Sequence, residues 1–193
     1  MRHVVIMARA PRLGAIKRRL ARDVGALAAW RFYRHELAAL ARCLRGGGRW
    51  RCWLAVTPDR ALRGPWPPAW RIIPQGPGDL GVRMGRLFRD LPPGPAVIVG
   101  SDIPDLGPAH IARAFALLGD HDWVFGPAGD GGYWLIGARR RPARRAPFAG
   151  VRWSGPHALE DTLANLARAR VAFLEELQDV DTGADLRRRR RKA

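Results

Sequence analysis

Two runs constrain this chain more than any other feature: HVVIMA at 3–8 and PAVIVG at 95–100, both apolar almost without interruption. A strand that carries apolar side chains on both faces must be covered on both faces, and such strands belong to parallel sheets packed between helices. The intervening segments fit that arrangement. From Arg18 to Leu44 the residues Leu20, Val24, Leu27, Trp30 and Leu37 recur at helical spacing, and the glycines at 46–48 end the run. Strands are expected at 50–56 and 71–74. A helix is expected over 79–91, with Leu80, Met84, Leu87 and Phe88 inward, and another over 108–118, with Pro108 in its first turn. DWVFGP at 122–127 and GYWLIGA at 132–138 are two strands with no helix between them, so the sheet should be mixed. A helix over 155–169 and a strand beginning VAFLEE follow. The expected fold is α/β: a Rossmann-like, mostly parallel mixed sheet with helices on both faces. It forms one domain over 1–186, with a basic tail at 187–193.

Composition removes several classes. No apolar run reaches the roughly 20 residues that span a bilayer. MRHVVIMARAP reads as a first strand and not as a signal peptide, so a cytoplasmic setting is expected. Cys43 and Cys52 form no CxxC pair, and the histidines have no ligand spacing. The formal charge of +17 suggests nucleic acid. However, the charge is spread along the chain and is nearly all arginine, with lysine only at 17 and 192. That pattern speaks against a dedicated nucleic-acid binder while still favouring an anionic ligand.

In open α/β sheets ligands bind beyond the carboxyl ends of the strands, and Asp102 lies at such an end in VIVGSDIPDL. Gly100 lets a ligand approach the backbone, and Pro104 stiffens the exit. A carboxylate held this way suits a hard cation such as Mg²⁺ or Mn²⁺. The plainer reading is a turn or a cap for the helix near 108, a role that Asp105 could also fill. The first loop, RAPRLGAIKRRL, gathers Arg9, Arg12, Lys17 and Arg19 where a phosphate would fit. A lysine at 17, in a chain that otherwise uses arginine almost everywhere, points to a need for a compact ammonium. Arg18 and Arg22 read as solvated charge. In GPAGDGGYWLIG, Asp130 is either a ligand to an acceptor or the corner of a hairpin. In DVDTGADL, Asp179 and Asp181 precede a helix that Thr182 could cap, and a second metal carboxylate could come from here.

In order, MARAPRLGAIKRRLA, QGPGDLGVRM, VIVGSDIPDL, GPAGDGGYWLIG and DVDTGADL resemble a bacterial family of GT-A-like glycosyltransferases, also described as nucleotide-diphospho-sugar transferases. Some of its members are named for arsenosugar biosynthesis or selenodomain-associated clusters. The guanylyltransferases for molybdenum cofactor and 2-phospholactate are more distantly similar. The resemblance implies a nucleotide-diphospho-sugar transferase fold, with Arg9, Gly14, Lys17 and Arg19 facing phosphates. It places Gln75, Gly76, Asp79 and Gly81 on the nucleotide side. Asp130, Gly131, Gly132 and Tyr133 match the element near the acceptor, where Asp130 would be catalytic with Asp102. Asp102 and Asp181 stand at the positions of the metal acids, so Mg²⁺ or Mn²⁺ is the implied cofactor. The family's KTRL is here Lys17-Arg18-Arg19-Leu20, which lacks a hydroxyl at 18.

The function this implies is metal-dependent transfer from a nucleotide-activated donor to a small acceptor. The GxGTR loop of pyrophosphorylases is absent, which favours a nucleotide sugar as donor over an NTP. The alternatives are a nucleotidyltransferase joining an NTP to a phosphorylated acceptor, and a non-catalytic nucleotide- or polyanion-binding protein.

Overall fold

The computed structural model describes residues 1–140 and 146–190; the parts of the two arginine runs at 141–145 and 191–193 lie outside the described residues. In chain order the elements are β1 (His3–Arg9), α1 (Arg18–Val24), α2 (Ala26–Cys43), β2 (Arg51–Thr57), β3 (Arg71–Pro74), α3 (Leu80–Asp90), β4 (Ala96–Val99), α4 (Pro108–Leu117), β5 (Trp123–Pro127), β6 (Tyr133–Ala138), α5 (Ala158–Ala164), β7 (Val171–Phe173) and α6 (Gly183–Arg190). The seven described strands form one sheet in the order β3-β2-β1-β4-β6-β5-β7. Only β6 runs against its neighbours, pairing antiparallel with β4 and with β5. The mixed sheet expected from the closely spaced strands at 122–138 is therefore the one observed.

Both faces of the sheet are covered, as the uninterrupted apolar runs require. Val4, Ile6, Val97 and Val99 face α2 and α4, meeting Tyr33, Leu37, Leu40, Ile111 and Phe115. Val5, Ala55 and Ile98 face the other way, against Met84, Leu87 and Phe88 of α3. These side chains are almost wholly buried, and each Val, Ile, Leu, Met and Phe contributes about 1.5–3 kcal/mol relative to exposure.

The chain lays β1, β2 and β3 outward in one direction, then returns to place β4 on the other side of β1. The direction of winding thus reverses between β1 and β4. The helices after β1 and β4 pack on one face and α3, which leads into β4, on the other, and a crevice opens beyond the strands' carboxyl ends. Arg9 ends β1, and Gly100-Ser101-Asp102 follows β4.

The structure corrects several sequence expectations. The helix expected over 18–44 is two helices, broken at Gly25, whose φ of 85° no other residue adopts cheaply. The break shifts the helical register, so that Leu27 is exposed while Leu20 and Leu37 stay buried. Leu80 is also exposed, because Asp79 caps α3 by accepting from the Val82 N–H at 2.8 Å, which leaves Leu80 in the first, outward turn. The helix expected over 155–169 is confined to α5. α6 runs through Arg187–Arg190, into the segment set apart as a tail.

Candidate functional site

A cavity of about 810 Å³ occupies the crevice beyond β1 and β4. Its floor is made by strand ends, among them Ala8, Ile98, Val99 and Ile136. Its walls carry Arg9, Lys17, Arg18, Arg19, Gln75, Asp79, Arg83, Asp102, Tyr133, Trp153 and Asp181. Of the site residues expected from sequence, Arg9, Lys17, Arg19, Gln75, Asp79, Asp102, Tyr133 and Asp181 come together here.

The basic wall is pinned from below. Trp30 of α2 donates its indole N–H to Pro11 O at 2.7 Å, and Ala10 N–H bonds Thr57 O at 2.8 Å, so the loop after β1 is tied to its surroundings. Tyr33, also on α2, accepts from the Arg9 N–H at 3.0 Å and lies 3.0 Å from Arg9 O and 3.2 Å from Ser101 Oγ. Burial pushes its phenol pKa up, which keeps it a neutral hydrogen-bonding group. This one hydroxyl therefore couples the exits of β1 and β4, the two strands that carry the site. Sequence reasoning missed Tyr33 and Ser101. The available signal was a tyrosine within an apolar helical stripe, which reads equally well as core.

The centre of the site is a triad of charges. Lys17 Nζ lies 2.5 Å from Asp102 Oδ2 and 2.7 Å from Asp181 Oδ1, and its side chain is only 4% exposed. Burial opposes the ammonium charge, but the two carboxylates outweigh it and raise the lysine pKa above its ordinary value. Lys17 precedes α1 with φ 45° and ψ 49°, a left-handed conformation that costs a non-glycine residue roughly 1–2 kcal/mol. Such strain recurs where a side chain is being aimed.

Each acid is held by an independent device. Asp102 follows the fully buried β4, and Gly100 N–H extends the ladder to Trp134 O at 3.1 Å. The turn beyond it is closed by backbone, Leu106 N–H to Ile103 O at 3.2 Å, and α4 begins without a carboxylate cap. The cap reading of Asp102 and of Asp105 is thereby removed. Asp181 sits just before α6, where Thr182 and Asp185 cap each other reciprocally, with Thr182 Oγ1 accepting from the Asp185 N–H at 3.2 Å. The Gly183 N–H bonds Asp23 of α1 at 2.7 Å, and Arg189 pairs with the buried Glu36 of α2 at 2.9 Å. These contacts dock α6 and fix the segment that presents Asp181. Arg19 Nη1 lies 3.7 Å from the other oxygen of Asp181. Asp179, nearby, is pushed up to about 6 by burial first and then by the charge of Asp181. The Lys17–Asp102–Asp181 triad thus carries one more negative than positive charge, inside a cavity whose other walls are basic.

Gly14, Gly76, Gly81, Asp130, Gly131 and Gly132 do not line this cavity. Asp130 makes the hairpin corner: its Oδ1 accepts from the Gly132 N–H at 2.9 Å, and it does not line the cavity. Gly131 holds φ 81°, and a Cβ there would strike Pro156 O, so the glycines serve this tight turn and its packing. Gln75 is buried, donating its amide to Ala8 O and Ala55 O, and it forms fixed floor. Gly76 is packed against the Arg86 guanidinium, and Gly14 sits in the first loop away from the cavity lining. Gly81 packs against Trp153 and Phe148 and borders a second cavity of about 760 Å³ with Arg86, Phe88 and Trp123. Arg18, read as solvated charge, is exposed and also lines the main cavity.

Two carboxylates that a single cation touches form the donor set of a hard divalent ion, which completes its shell with phosphate oxygens and water. Among the described residues there is no group of three or more His, Cys, Asp and Glu side chains that could enclose a metal. Asp102 and Asp181 are oxygen donors of the kind that a substrate-completed Mg²⁺ or Mn²⁺ site takes. Among the described residues no helix is long and apolar enough to cross a membrane.

Comparison with solved structures places the fold. A candidate nucleotide-diphospho-sugar transferase of Desulfovibrio desulfuricans G20 is similar at 29% identity and a TM-score of 0.87, over 96% of this chain and 84% of that one. CMP:2-keto-3-deoxy-manno-octonic acid synthetase, solved with CTP, aligns at 15% identity and a TM-score of 0.59, over 99% and 97% of the two chains. The Rv0371c protein of Mycobacterium tuberculosis, solved with manganese, aligns at 18% identity and a TM-score of 0.57, over 97% and 96%. No curated protein matches the chain. The fold is that of the nucleotide-diphospho-sugar transferases and nucleotidyltransferases, as the resemblance implied. The family model for DUF2064 matches residues 39–155, from the end of α2 through the Asp102 and Asp130 segments. The chain therefore belongs to DUF2064, the family described as "Uncharacterized protein conserved in bacteria".

Proposed function

We propose that this protein is a metal-dependent transferase that takes a nucleotide-activated donor, and that the donor is a nucleotide-diphospho-sugar whose glycosyl group passes to a small acceptor. The observation that carries the proposal is the convergence of Asp102 and Asp181 on Lys17 in a cavity whose rim holds Arg9, Arg18, Arg19 and Arg83. A diphosphate needs cationic groups on one side and, if a metal joins it, carboxylates on the other. This cavity offers both within one crevice.

Asp102 and Asp181 would hold a divalent ion, which neutralises charge growing on a departing diphosphate. Arg9, Lys17 and Arg19 bind and orient the phosphates and share that charge. Asp79 and the Gln75 floor border the nucleotide side, with Gly76 and Gly81 shaping the backbone around them. Tyr133 faces the acceptor end beside the Asp130-Gly131-Gly132 corner. Asp130 keeps its hairpin bond to Gly132 on Oδ1 and would meet an acceptor hydroxyl through Oδ2. The similarity to the Desulfovibrio protein supports a nucleotide sugar as donor.

The test is product analysis with panels of nucleotide sugars and of NTPs, with and without Mn²⁺. The expected result is metal-dependent release of a nucleoside diphosphate from a nucleotide sugar. Pyrophosphate release from an NTP would replace this reading with nucleotidyl transfer. Metal-independent binding that weakens steeply with salt, without turnover, would mark a polyanion-binding protein.

A further inference from the structure

We propose that Lys17 is the resident cation of the gap between Asp102 and Asp181, and that it and a divalent metal ion exclude each other from that gap. The ammonium touches both carboxylates, at 2.5 and 2.7 Å. A small divalent ion bridging the same two groups would take their oxygens at about 2.1 Å and so occupy nearly the same point. Lys17 holds Asp102 Oδ2 and Asp181 Oδ1 with a side chain that is 4% exposed and whose left-handed backbone aims it inward, so an ion that bridges those two oxygens has to displace it. Among the described residues no third acid or histidine offers the ion another closed seat.

Two consequences follow. In the free protein the lysine satisfies the acids and holds metal affinity down. When a diphosphate enters along the wall of Arg9, Arg18 and Arg19, it presents oxygens that can take over the ammonium, and the vacated carboxylates then accept the ion. Metal and donor therefore bind together, and Lys17 passes from the acids to a phosphate. The second consequence rests on the proposed donor; the exclusion itself does not.

The test has a metal-only arm and a donor arm. Calorimetry with Mn²⁺ alone should find Lys17→Met binding the ion at least tenfold tighter than wild type, since a competing charge is gone and the two oxygens that Lys17 held are free. Equal or weaker binding by the variant overturns the proposal. A second readout uses wild type and needs no variant to fold. The chain has two lysines, Lys17 and Lys192, so ¹⁵N-lysine labelling gives an ammonium spectrum simple enough to follow one residue. The Lys17 signal should move in step with Mg²⁺ occupancy, and saturation of the site with that signal unmoved overturns the proposal. In the donor arm, a saturating nucleoside diphosphate should raise wild-type Mn²⁺ affinity at least tenfold and raise that of Lys17→Met far less. If the metal-only arm succeeds and no nucleotide binds, the exclusion stands and the proposed donor fails.

Discussion

The two ends of β1 differ in how they bury polar atoms. At the amino end, His3 is fully buried. Its Nδ1 accepts from the Trp53 indole N–H at 3.1 Å, and its Nε2 lies 3.4 Å from Pro93 O. Beside it the Arg140 guanidinium donates to Pro92 O, Gly94 O and Leu91 O. His3, Trp53 and the two terminal nitrogens of Arg140 are satisfied by backbone carbonyls and by a neutral ring, entirely within the chain, and only Arg140 Nε among these groups is buried without a partner. At the carboxyl end, Lys17, Asp102 and Asp181 are satisfied by one another, with negative charge left over and a cavity in front of them. One end is finished as it stands; the other is arranged so that a ligand changes its pairings. Substitutions at the first should therefore be read in stability, and at the second in binding.

The largest effect expected is Trp53→Ala, which removes a buried ring and the partner of His3. Denaturant unfolding should show a loss of about 3–5 kcal/mol, while donor affinity of the folded fraction stays as in wild type. A comparable loss of affinity would erase the distinction between the two ends. Next is Asp102→Asn. It should weaken Mn²⁺-dependent nucleotide-sugar binding by about 2–5 kcal/mol in calorimetry, roughly thirtyfold or more. Tyr33→Phe tests the border between the two behaviours. It leaves the backbone of Arg9 and the Ser101 hydroxyl short of a partner, for about 1–3 kcal/mol in stability. It should also lower donor affinity severalfold, because the two strand exits lose their tie.

The smallest effect is in pH. Burial holds the His3 pKa below its ordinary 6.5, so the folded state resists a proton that the unfolded chain accepts. This contribution is fully present above pH 6.5 and is lost as pH falls below it. Denaturant midpoints from pH 8 to 5 should fall less steeply for His3→Gln than for wild type. Parallel profiles would mean the ring is not held neutral.

The contrast also explains what was legible beforehand. The apolar runs of β1 and β4 disclosed a parallel core, because a period of two or none is local information. Asp102 at the end of β4 followed from the same strand. Gly25 was overlooked because helical spacing on either side of it looks continuous until the phase change is measured against a partner. The pairing of Lys17 with Asp181 joins residues 164 positions apart, and only the docking of α6 on α1 and α2 creates it. Tyr33 was indistinguishable from core until β1 and β4 were placed side by side. Asp130, conspicuous among glycines, was taken up by its own turn, the role that Asp-Gly plays in many hairpins.

The most direct measurement is a crystal structure with Mn²⁺ and a nucleoside diphosphate, read through the anomalous signal of the metal. The expected result places the manganese on the carboxylates of Asp102 and Asp181, the diphosphate against Arg9 and Arg19, and the Lys17 ammonium on a phosphate oxygen. Manganese elsewhere with Lys17 still between the two acids, or a nucleotide seated in the cavity beside Trp123 and Phe148, would contradict the account.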